Sequence, residues 1–70
     1  MYYSNSQIIW LITEYVHSER DREILKRNMV DGLTIEKLAE EFNYSPRQMF
    51  RIVAKAKKEL FTAVSEMSLL

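Results

Sequence analysis

The fold this chain of 70 residues predicts is a small all-helical domain of four helices, and three observations lead there. Gly and Pro occur once each, so few tight turns are available. Apolar residues recur at helical spacing and not in alternation. Helix-start and helix-stop chemistry recurs along the chain, at Ser18, Gly32, Thr34 and Ser45. The length suits one domain over residues 1–70, with an N-terminal helix in 1–18, a central unit in 19–60, and a helix end and tail in 61–70.

The first helix is expected over Ser6 to His17, after a weakly ordered start at Met1 to Asn5. At about 100° per residue, Ile8, Ile9, Leu11, Ile12, Tyr15 and Val16 share one broad arc. Trp10 falls on the opposite, polar side with Thr13, Glu14 and His17. The second helix is expected over Glu19 to Val30. Ser18 can cap it, with Asp21 three residues on in the manner of a capping box. Acids near its start and Lys26 and Arg27 near its end suit the helix dipole. Gly32, followed by Leu33, reads as a left-handed cap with its hydrophobic contact.

Thr34 is a good N-cap for a third, short helix over Ile35 to Phe42. Leu38, Ala39 and Phe42 would face the core, with Ile35 above them. The fourth helix has the strongest start signal in the chain. Ser45 is the N-cap, Pro46 takes the first helical position and Gln48 completes a capping box. It should run from Pro46 to about Ser65. Met49, Val53, Ala56, Leu60 and Met67 make its core stripe, flanked by Ile52 and Val64. Phe50 and Phe61 fall beside that stripe.

Charge is distributed unevenly. The chain has ten basic and ten acidic residues, for a formal net charge of zero. Residues 1 to 41 carry eight acids and five bases, and residues 47 to 58 carry five bases and no acid. On the fourth helix Arg47, Arg51, Lys55 and Lys58 fall between about 160° and 240° from Met49, on the face turned away from the core. Lys57 lies near the core edge. A solvated face usually mixes signs, and this one does not. A local basic patch binds anions whatever the total charge.

A short third helix, a connection of about three residues and a capped fourth helix together predict a helix-turn-helix. Ala39 supplies the small residue needed where the two helices approach, and Asn43 stands at the turn. In such a unit the N-terminal half of the second helix enters the major groove of double-stranded DNA. Arg47, Gln48 and Arg51 are placed to read bases there, by pairing Arg with guanine and Gln with adenine. Lys55 and Lys58 suit phosphates, as do the Thr34 hydroxyl and the amides near Ser45.

The stretch "DGLTIEKLAEEFNYSPRQMFRIVAKAKKEL", residues 31 to 60, resembles region 4 of bacterial sigma factors. The likeness covers residues 19 to 60 and rests on Gly32-Leu33-Thr34, Glu36 to Phe42, Ser45 and Ile52-Val53-Ala54-Lys55-Ala56. Related helix-turn-helix regulators and short phage proteins share it. The resemblance implies transcriptional work, with Pro46, Arg47, Phe50 and Arg51 at base-reading positions, Thr34 on a phosphate and RNA polymerase as a further partner. Pro46 and Phe50 stand where primary sigma factors commonly have arginine, so the −35 promoter specificity of those factors does not carry over with the resemblance. The sequence carries no region 2, and the expectation is a free-standing reading module.

Other residues leave alternatives open. Phe50 and Phe61 are read either as peripheral core or as contacts, with thymine methyls for Phe50 and a dimer seam for both. Trp10 is either a wrapped surface aromatic or a partner contact. Glu36, Glu40 and Glu41 read as a solvated face. Met67, Leu69 and Leu70 make either a frayed tail or a homodimer contact. No cysteine is present and His17 is the only histidine, so no thiolate or His-cluster metal site is expected. No nucleophile motif or Gly-rich phosphate loop occurs, and neither an enzyme nor a cofactor is expected. The apolar run "IIWLI" is too short to span a bilayer, and the expected location is the cytoplasm. The rival reading is a protein-interaction module for RNA polymerase or a sigma or anti-sigma partner. An RNA-binding version ranks last, for want of aromatics placed to stack on single strands.

Overall fold

The computed structural model describes residues 3–68, with side chains described for 3–66. Four helices account for the regular structure: α1 (Asn5–Tyr15), α2 (Glu19–Met29), α3 (Ile35–Phe42) and α4 (Pro46–Ser68). No strand occurs among the described residues. α4 packs against each of the other three helices, and α2 also touches α1 and α3. At 23 residues α4 is about 34 Å long. It sets the long dimension of a molecule measuring 39 × 19 × 19 Å.

α1 begins earlier than expected. The Ser4 hydroxyl accepts the Gln7 amide at 3.3 Å, and the Gln7 side chain accepts the Ser4 amide at 2.8 Å. This capping box replaces the expected loose start at Ser4 and Asn5, whereas Met1 and Tyr2 lie outside the described residues. The helix also stops two residues early, at Tyr15, with Val16 extended. The Arg22 side chain donates to the carbonyls of Val16 at 2.6 Å and His17 at 3.1 Å, which satisfies groups that further helix would have used. Leu11, Ile12 and Val16 are buried, and Ile8 and Tyr15 pack against them. Ile9, at the edge of the apolar arc, is exposed instead.

In α2, Ile24 and Leu25 are fully buried. Ser18 accepts the Asp21 amide at 3.4 Å, as a cap should. The Asp21 carboxylate is turned inward, where it accepts Arg20 Nε at 3.2 Å and Nη2 at 3.1 Å. A buried carboxylate needs such a partner, because an unpaired charge there is costly. α2 ends at Met29, one residue before the expected Val30, and Val30 is its cap. Gly32 follows at φ 74. The Leu33 amide donates to Arg27 O at 3.1 Å, and Asn28 Nδ2 donates to Leu33 O at 2.9 Å. A Cβ at Gly32 would meet nothing within 4 Å, so Gly32→Ala isolates the backbone strain. It should cost about 1–2 kcal/mol in urea unfolding, and an unchanged midpoint would remove the left-handed requirement.

Thr34 caps α3, accepting the Lys37 amide at 3.2 Å. Leu38 and Ala39 are buried, with Ile35 and Phe42 packed beside them. The helix stops because Asn43 adopts φ 61, ψ 44, a left-handed conformation that Asn tolerates better than most residues. The Tyr44 amide then bonds Ala39 O at 2.9 Å. Arg27 ties α2 to α3 by pairing with Glu41, and it reaches Asp31 at 3.4 Å as well. The hydrogen bond to Glu41 raises the Arg27 pKa.

α4 carries the expected stripe: Met49, Val53, Ala56 and Leu60 are buried, and Ile52 and Val64 pack beside them. It runs past the expected end at Ser65, to Ser68. The Met67 side chain and Leu69 and Leu70 lie outside the described residues, and so does the apolar tail they were expected to form. Phe50 and Phe61 are 62% and 53% exposed, so neither is peripheral core. Among the described residues no helix is long and apolar enough to cross a membrane.

Candidate nucleic-acid interface

The start of α4 is held from three directions. Ser45 and Gln48 exchange two bonds: Oγ accepts the Gln48 amide at 3.2 Å, and Gln48 Oε1 accepts the Ser45 amide at 3.0 Å. Left-handed Asn43 sets the angle between α3 and α4. Arg20, from the first turn of α2, reaches the residue before the cap. Its Nη1 donates to the Tyr44 hydroxyl at 3.2 Å, and its guanidinium lies 5.8 Å from the Tyr44 ring centre. Bonds to Tyr44 and then to Asp21 raise the Arg20 pKa. Arg20 thus links a buried carboxylate to the turn ahead of α4. No local sequence pattern signals this contact, since its partners are 24 residues apart.

From this anchored start Pro46, Arg47, Gln48, Phe50, Arg51, Ala54, Lys55 and Lys58 are all exposed. Arg47, Phe50, Arg51 and Ala54 follow the i, i+3, i+4, i+7 spacing of neighbours on one helix face. Lys57 is half-buried, as its place near the core edge predicts. Gln48 is more constrained than a free base reader. Its Oε1 accepts the Ser45 amide in the cap, which fixes the orientation of the side chain and leaves its second lone pair and its amide N–H groups for a base. Thr34 and Ser45 are exposed, and each hydroxyl oxygen already accepts one amide while its O–H remains able to donate.

The arginines divide into two groups. Those of α2 are engaged within the fold: Arg20 with Asp21 and Tyr44, Arg22 with two carbonyls, Arg27 with Asp31 and Glu41. Among the described residues, Arg47, Arg51, Lys55 and Lys58 have no ion pair. Further along α4, Lys55 and Lys58 share an open recess of about 580 Å³ with Tyr15, His17, Glu59 and Glu66. There the His17 amide donates to Glu59 at 3.4 Å. The purely cationic face is therefore the N-terminal part of α4, and acids join it toward the other end.

Glu36, Glu40 and Glu41 are exposed on α3, as expected. Trp10 is 52% exposed, and its ring meets Tyr15 edge-on at 6.1 Å. Phe61 borders an apolar recess of about 300 Å³ with Tyr3, Ile8, Leu11, Met29 and Val64. Among the described residues no group of acidic, His or Cys side chains could hold a metal ion. Comparison with protein-family models, with curated proteins and with solved structures returns no match.

Proposed function

We propose that this chain is a sequence-specific double-stranded DNA-binding protein acting in transcription, with α3 and α4 as a helix-turn-helix. The observation that carries the reading is the exposed cationic face of α4, without ion pairs among the described residues, beside α2 arginines that are all engaged. The N-terminal half of α4 enters the major groove, where Arg47 and Arg51 read base edges. Pro46, Gln48 and Phe50 line the same contact. Thr34, Ser45, Lys55 and Lys58 hold phosphates. The likeness of residues 19–60 to region 4 of bacterial sigma factors supports the same reading. The protein acts by binding, with no catalytic step.

Phosphate contacts release counterions, so affinity should fall steeply with salt, with a log–log slope of about −0.9 per phosphate. Lys58→Ala should weaken all duplexes alike and reduce that slope by about one. Fluorescence anisotropy across a salt series measures both. A protein that binds no duplex at low salt overturns the proposal.

A second reading is favoured by the exposed Trp10, a residue type common at interface centres. In it α1 docks on a protein partner such as RNA polymerase. Trp10 fluorescence should then change on adding polymerase and stay nearly constant on adding DNA.

A further inference from the structure

We infer that Phe50 makes this protein select a thymine by its C5-methyl group, close to a guanine read by Arg47 or Arg51. This rests on the DNA-binding reading above and narrows the class of site it takes. Among the described residues Phe50 is the most exposed of the large apolar side chains, at 62%. It lies on the capped first turns of α4, with Arg47 one turn before it, Arg51 next to it and Ala54 one turn after it. An exposed ring costs solvation unless something apolar covers it. The cations around it favour a polyanion as the occupant, and no acid lies between residues 47 and 58 to repel one. In the major groove the apolar group on a base edge is the thymine methyl. Arg47 and Arg51 are four residues apart, about 6 Å along the helix, or about two base-pair steps. Phe50 lies between them, so the thymine should fall within about two base pairs of the guanine.

Selection from random duplexes with the full chain gives the preferred site. Each thymine in it is then replaced by deoxyuridine, which removes only the methyl. At one or two positions the wild type should lose about fourfold in affinity, the effect expected for one buried methyl. Phe50→Ala should bind thymine and deoxyuridine duplexes equally, with an unchanged melting temperature because the ring packs little in the free protein. Wild-type indifference to deoxyuridine, with site preference intact, overturns this inference and leaves the DNA reading standing. So does a Phe50→Ala variant that keeps the discrimination. If sedimentation shows that Phe50→Ala dissolves a dimer while thymine discrimination survives, the ring is a seam between copies and the inference fails. Absence of binding to any duplex overturns the DNA reading together with it.

Discussion

Leu38→Ala is expected to destabilise the protein by about 2–5 kcal/mol, the range for removing a buried leucine side chain. Leu38 is fully buried in the middle of α3. That helix has eight residues, too few to be stable alone in water. It exists because Leu38 and Ala39 dock against the rest of the core. A domain of this size holds on the order of 4–10 kcal/mol in total, so the loss removes a large share. Urea unfolding followed by circular dichroism should show a much lower midpoint, while Lys37→Ala on the exposed side should stay within about 0.5 kcal/mol of wild type. Equal midpoints for the two variants would mean that α3 is not held by this contact. Duplex binding by Leu38→Ala should fall in step with its folded fraction, because α3 supports the start of α4.

The elements easiest to read in the sequence are those whose signals are local. Ser45, Pro46 and Gln48 mark the start of α4 within four residues, and the Met49 to Leu60 stripe follows from helical period alone. The start of α1 is legible as well, in Ser4 and Gln7, although the expected start at Ser6 passes over that pair. Its end is not legible. α1 stops at Tyr15 because Arg22 takes the carbonyls of Val16 and His17, a contact made only once α2 has folded back. Asp21 shows the same limit. Its place after Ser18 suggests a capping box, but its buried carboxylate accepts from the adjacent Arg20, whose guanidinium also reaches Tyr44, 24 residues away.

The candidate site is legible to the extent that it lies on one helix. Periodicity sets Arg47, Arg51, Lys55 and Lys58 on the outer face, and all four are exposed. Phe50 and Phe61 lie near the boundary of the core arc, where a helical angle cannot decide burial. That depends on how far a neighbouring helix reaches them, and both rings stay more than half exposed, Phe61 at the border of a recess shared with α1 and α2. The Arg20–Tyr44 contact joins two helices, so it too needs the fold.

Arg47→Ala and Arg51→Ala should each cost about 1–3 kcal/mol of discrimination between the preferred site and random duplex. Both side chains are exposed and free of ion pairs among the described residues, so truncation should leave stability nearly unchanged. They stand one turn apart and can contact neighbouring base pairs, so the double variant need not show the sum of the single losses. Substitution by lysine separates the two ways an arginine can act. Lysine keeps the charge but lacks the planar fork that grips guanine through two bonds. Arg51→Lys should therefore retain the salt slope and the affinity for random duplex while losing site preference. The measurement is a pair of anisotropy titrations, on the selected site and on random duplex, at each of several salt concentrations. If lysine restores full preference, or if alanine weakens both duplexes equally, these arginines hold phosphates and base reading lies elsewhere on the face.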